Sequence, residues 1–138
     1  MFAIVCSNFY PQISKNLLKG CIKVFEENNI EQKSWKVIEV PGAFEIPLAC
    51  QKLAKTKKYK VIIALGCVIK GQTGHYEMVC KACVEGIMKI MLNFEIPIIF
   101  EVLMVNDILH AEERAQTRDW SKNKGYIGGK MALEIHNL

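Results

Sequence analysis

Short, continuous apolar runs alternate along this chain with longer stretches in which apolar residues recur every three or four positions. Residues 2–6 read as a strand. Over 13–29, Ile13, Leu17, Leu18, Cys21, Val24 and Phe25 fall on one helical face, and Asn28-Asn29 forms a stop. Residues 35–40 are rich in β-formers, after which Pro41-Gly42 turns the chain into a helix expected over 43–56. Pro47 falls in that helix's first turns, where a missing N–H costs little. A fully apolar strand follows at 60–69, a long helix at 75–93, another apolar strand at 96–105, and two further helices near 107–115 and 123–136. Strands that are apolar on both sides and separated by helices indicate an α/β fold: a parallel sheet covered on both faces, joined by right-handed crossovers. Ligands bind such sheets beyond the carboxyl ends of the strands.

The polar and aromatic residues gather in the loops at those ends. They are Ser7-Asn8-Phe9-Tyr10 after the first strand, the segment from Pro41 to Pro47 after the second, Gly71 to His75 after the third and Val105-Asn106-Asp107 after the fourth. One mouth is expected to collect them all. The third loop says most, because Lys70-Gly71-Gln72-Thr73-Gly74-His75 delivers glycines, a hydroxyl and an imidazole to a helix N-terminus. Free backbone N–H groups and the positive end of the helix dipole converge there, which suits phosphate or another anion. An imidazole with a reference pKa of about 6.5 beside that anion suits proton transfer on a phosphorylated small molecule. The first reading is therefore an enzyme.

Composition narrows the picture. With 138 residues, 51% of them hydrophobic, the chain holds material for one core and too little for two, so a single domain over 1–138 is expected. The net charge of +4 fits an anionic small substrate. Lys55, Lys57, Lys58 and Lys60 cluster without interleaved aromatics, the mark of a solvated helix end rather than a nucleic-acid patch. The start lacks a basic region and cleavage signature, and no apolar run reaches the roughly 18 residues of a membrane span, so a cytoplasmic protein with no membrane partner is expected. The six cysteines sit in apolar contexts, as free core thiols do. Cys80-Lys81-Ala82-Cys83 spells C-x-x-C inside a helix pattern without a second ligand pair, so no metal site is assigned.

Three blocks carry a closer resemblance: Val40-Pro41-Gly42-Ala43-Phe44-Glu45-Ile46-Pro47, then Ala64-Leu65-Gly66-Cys67-Val68-Ile69-Lys70-Gly71-Gln72-Thr73-Gly74-His75-Tyr76-Glu77, then Pro97-Ile98-Ile99-Phe100 with Glu113-Arg114-Ala115. In order and spacing they resemble the lumazine synthase family, from Phe2 onward. The resemblance implies the penultimate step of riboflavin biosynthesis, the condensation of 5-amino-6-(D-ribitylamino)uracil with 3,4-dihydroxy-2-butanone 4-phosphate to 6,7-dimethyl-8-ribityllumazine. It implies a flavodoxin-like three-layer αβα fold with a four-stranded parallel sheet, homopentamers with active sites between subunits, and no metal or organic cofactor.

Residue by residue, the resemblance makes His75 the proton-transfer group. Phe9 and, from the adjacent subunit, Phe100 match aromatic positions around the pyrimidine, whose polar edge meets backbone near Ala43, Phe44, Val68 and Ile69. Glu45 matches the acceptor of ribityl hydroxyls. Gly71, Gln72 and Thr73 match the phosphate loop, joined by Arg114 of the neighbouring subunit and by Lys124. Each has a plainer explanation: a helix cap for His75, core packing for either phenylalanine, a first-turn glutamate for Glu45, an intrahelical pair with His110 or Glu113 for Arg114.

The chain departs from the family pattern in three places. Gly74 replaces a residue that is often Thr or Pro, and is expected to loosen the loop. Glu101 stands where small residues are usual. Residues 116–123 form a longer and bulkier loop than in capsid-forming members, so pentamers, or decamers of face-to-face pairs, are expected rather than an icosahedral shell. The rival readings are an archaeal-type riboflavin synthase, a non-catalytic flavin- or lumazine-binding protein, and a flavodoxin-type electron carrier.

Overall fold

Four of the apolar runs are the strands of one all-parallel sheet in the computed structural model, which describes residues 1–138. They are β1 (Phe2–Ser7), β2 (Trp35–Val40), β3 (Val61–Ile69) and β4 (Ile98–Val105), ordered β2-β1-β3-β4. Phe2 pairs with Trp35 on one side and Val61 on the other, and Ile62 pairs with Ile98, which fixes the register across the sheet. Five α-helices cover it: α1 (Pro11–Glu27), α2 (Ile46–Thr56), α3 (His75–Phe94), α4 (Ile108–Arg114) and α5 (Lys124–Ile135). No helix is long and apolar enough to cross a membrane.

The two faces of the sheet explain the unbroken apolar runs. Ile4, Ile63 and Leu65 pack with Leu17, Cys21 and Phe25 of α1, Ala111 of α4 and Ala132 of α5. Val5, Ile62 and Ala64 point the other way, against Ile46 and Cys50 of α2 and Cys83 and Ile87 of α3. Every residue from Val61 to Leu65 is fully buried. A strand covered on both sides has no polar face to show. The result is the expected flavodoxin-like three-layer α/β fold.

Helix boundaries differ from the periodicity where proline and local hydrogen bonds intervene. α1 begins at Pro11, ahead of the first periodic residue, because a proline at the helix start gives up no bond. The helix expected over 43–56 is divided into a 3-10 turn, Ala43–Glu45, and then α2, with Pro47 in its first turn. The turn closes through the Glu45 N–H donating to the Gly42 carbonyl at 3.2 Å. Within the bulky 116–123 loop lies a further 3-10 turn, Trp120–Lys122, capped by Asp119, which accepts from the Ser121 N–H at 3.1 Å.

α5 lies unusually close to α1. A Cβ at Gly125 would fall 1.8 Å from the Leu17 carbonyl oxygen, so only glycine permits the approach. Fully buried Asn123 caps α5, accepting from the Tyr126 N–H at 3.0 Å. All six thiols are free, and burial pushes the Cys6 thiol up to about 12, which suits packing rather than reactivity.

Candidate active site

A cleft of about 640 Å³ opens at the carboxyl ends of β1, β2 and β3. The strand order reverses direction between β1 and β3, and an open α/β sheet leaves its crevice at such a point. Phe9 and Tyr10 follow β1 on its wall; Pro41 to Glu45 follow β2; Cys67, Val68 and Ile69 end β3; Gly71, Thr73 and His75 lead into α3, which adds Tyr76, Met78 and Val79. Ten of its sixteen lining residues are apolar, so the cleft is a greasy slot with a polar end.

The polar end is the β3–α3 loop. Gly74 stands at the N-cap of α3 and has no side chain to offer the helix. The N–H groups of Gly71, Gln72, Thr73 and Gly74 find no acceptor within the chain. The Thr73 hydroxyl accepts from the His75 N–H at 3.3 Å, leaving its own proton to donate outward. Such a cluster of free donors at a helix N-terminus prefers an anion. His75 is exposed at the first position of α3, directly after this loop, and lines the cleft. Lys70 pairs with Glu77 across the loop at 3.6 Å, both half in solvent, which adds little stability.

The loop is not loosened in the way its glycines suggest. No glycine in the chain has positive φ, and Gly74 has φ −73° and ψ 4°, open to any L-residue. A side chain at Gly71 or Gly74 would meet open space. These glycines leave room above the loop rather than permit a special backbone.

Two aromatic rings stand at the apolar end with their faces uncovered. Phe9 is 69% exposed and Phe44 64%, which rules out core packing for Phe9. Phe9 meets Tyr10 edge-on at a centroid separation of 5.1 Å. Flat faces of this kind suit a flat heterocycle. Glu45 lies beside them at the start of α2, caps nothing, and one carboxylate oxygen lies 3.4 Å from the position of a Cβ at Gly42. Its acceptors therefore remain free on the cleft wall. Burial raises the pKa of both the Tyr76 phenol and the Cys80 thiol, so both stay neutral.

Four expected residues are absent from this wall within one chain, and so is the fourth loop, 105–107. Gln72 belongs to the loop but does not line the cleft. Phe100 is half-buried in β4 against the α2–α3 side of the core. Arg114 ends α4, exposed, and its Nη1 donates to the His110 carbonyl at 3.1 Å. Lys124 opens α5, on the opposite side of the sheet from α3.

Residues 1–138 match the 6,7-dimethyl-8-ribityllumazine synthase family. The chain belongs to the lumazine synthase family. Membership spans every element of the fold and implies an enzyme, a transferase of riboflavin synthesis. Among the cleft residues, sequence reasoning overlooked Cys67, Tyr76, Met78 and Val79 as ligand neighbours. The last three, with His75, recur at helical spacing on the first turns of α3, a signal that was present but reads equally as core periodicity.

Proposed function

We propose that this lumazine synthase family member condenses 5-amino-6-(D-ribitylamino)uracil with 3,4-dihydroxy-2-butanone 4-phosphate, releasing phosphate and two molecules of water to give 6,7-dimethyl-8-ribityllumazine. The observation that carries this reading is the uncapped loop from Gly71 to Gly74 beside His75, at one end of an aromatic slot. The loop amides and the Thr73 hydroxyl hold the phosphate, aided by the α3 dipole. Phe9 and Phe44 flank the pyrimidine; Glu45 accepts from ribityl hydroxyls; backbone at Ala43, Val68 and Ile69 reads the polar edge of the ring.

The reaction needs an amine to add to a ketone, water and phosphate to leave, and a ring to close. His75 takes the proton from the adding amine and returns it to the departing hydroxyl. Holding both reactants in one cleft supplies much of the rate, since a reactive amine and a ketone need mainly alignment.

The working unit in this reading is a homopentamer, alone or in face-to-face pairs. Arg114, Lys124 and Phe100 lie away from the cleft of their own chain, so they serve the cleft of a neighbour. Exposed apolar side chains support self-association: Val84, Met88 and Leu92 succeed one another turn by turn on α3, at 44%, 51% and 71% exposure. Contiguous exposed apolar surface marks an interface. The reading also puts the protein in the cytoplasm, where six free thiols stay reduced.

Mixing the purified protein with both substrates and following lumazine fluorescence tests the reaction. Product should form only when both are present. Riboflavin appearing from lumazine alone would instead identify a dismutating riboflavin synthase.

A further inference from the structure

Glu101 is a carboxylate in a place built for it. It lies on β4 facing α5, with apolar Ile99 and Leu103 flanking it on the same side of the strand and Leu65 as its register partner on β3. A Cβ at Gly128 would approach Glu101 Cγ to 2.9 Å, so the missing side chain on α5 is what lets Glu101 lie against the helix. Lys124 stands four residues before Gly128, on the same helical face and one turn nearer the start of α5. Neither β3 nor β4 presents a charged neighbour among these residues, and Lys124 is the cation that acts on Glu101. The start of α5 is itself immobilised, because Asn123 donates to the carbonyls of Asn16 and Gln116 at 3.1 and 3.0 Å.

We infer that Glu101 is a positioning residue for Lys124: ionised, it draws the ammonium onto the β4–α5 surface and competes with a bound anion for it; protonated, it lets the ammonium go. Given the reading of Lys124 as a phosphate ligand, the phosphate seat is then coupled to protons through a carboxylate that does not touch the substrate. Burial pushes the Glu101 carboxyl up to about 7 against the opposing pull of Lys124, which puts the exchange near neutral pH.

Sulfate is the probe, because its charge is constant near neutrality and any pH dependence belongs to the protein. Its affinity for the assembled wild-type protein should fall several-fold between about pH 6 and pH 8. Glu101→Gln should remove part of that fall, and Glu101→Ala should do the same if the amide perturbs the strand. Any other group that titrates in this range contributes equally to all three proteins, so the difference between them isolates Glu101. In a Lys124→Met background the difference should vanish. Two results overturn the inference separately. If Lys124→Met weakens sulfate but the wild type and both Glu101 variants share one pH profile, Glu101 does not position the lysine. If Lys124→Met leaves sulfate binding unchanged, Lys124 is no anion ligand, and the inference falls with that reading.

Discussion

The side-chain amide of Asn123 donates to the main-chain carbonyl of Asn16, 3.1 Å away and 107 positions earlier in the chain. The same amide group bonds the Gln116 carbonyl, while its oxygen caps α5. One buried side chain thus ties the two ends of the bulky loop, α1 and the start of α5 together. Lys124 is the next residue, so this tie also sets where that cation begins.

Asn123→Ala should therefore destabilise the fold by about 2–3 kcal/mol, combining a lost N-cap with carbonyls left unpaired in the interior. Asn123→Asp keeps the cap acceptor but loses both donors, and should recover only part of the loss. Urea midpoints for the three proteins at one concentration give the comparison. A midpoint for Asn123→Ala equal to wild type would mean that water replaces the amide.

His75→Ala should slow lumazine formation by about tenfold or more at saturating substrates, within the usual range for a lost proton-transfer group. The side chain is exposed, so assembly and the unfolding midpoint should not change. Steady-state rates decide it. An unaltered rate would remove His75 from the mechanism.

The strands were legible in the sequence because a sheet covered on both faces leaves no polar alternation, as the fully buried run from Val61 to Leu65 shows. The 3-10 turn at Ala43–Glu45 was not, since a helical periodicity cannot distinguish a tight first turn from an α-helical one. The cleft followed from topology: loops after successive parallel strands must meet at the same end, and Phe9, Glu45, Thr73 and His75 do. Gly74 misled, because a glycine signals conformational freedom in sequence whether or not the backbone uses it. Glu101 was visible only as an oddity. Its meaning depends on Gly128, a partner on another element that no local pattern connects to it.

Glu101 also carries a prediction about stability. Its folded carboxyl titrates near 7, above the ordinary 4.5, so the folded state holds this proton more tightly than the unfolded chain does. The stabilisation is fully present below about pH 4.5 and is lost as pH rises through about 7. Glu101→Gln, which cannot ionise, should therefore gain on the wild type across that window and stay ahead at higher pH. Urea midpoints of both proteins from acid to mildly alkaline pH would show diverging curves. Parallel curves would mean that Glu101 is more hydrated than its burial implies.

The exposed stripe on α3 predicts a dissociable assembly. Met88→Lys places a charge in the middle of Val84, Met88 and Leu92 without touching the core on the opposite face. The variant should sediment as smaller species than the wild type at the same concentration, and its activity per chain should fall with assembly. A variant that remains fully assembled would move the interface to another surface.

Arg114 gives the sharpest test of a cleft shared between subunits. Within its own chain the guanidinium only closes onto the His110 carbonyl at the exposed end of α4, a bond whose loss costs little. If its task is to grip a phosphate in the neighbouring cleft, Arg114→Ala should raise the apparent KM for the butanone phosphate by about tenfold to a hundredfold, as expected for a lost charge-assisted bond of roughly 1.5–3 kcal/mol. The KM for the ribitylaminouracil should change far less. Arg114→Lys should recover part of the loss, since an ammonium keeps the charge but not the two-pronged fork. Inorganic phosphate should compete with the butanone phosphate in the wild type and less well in Arg114→Ala. Equal losses for both substrates, with assembly intact, would make Arg114 a structural residue of α4 and leave the phosphate to the loop amides, with Lys124 and Arg118 the remaining cations to test.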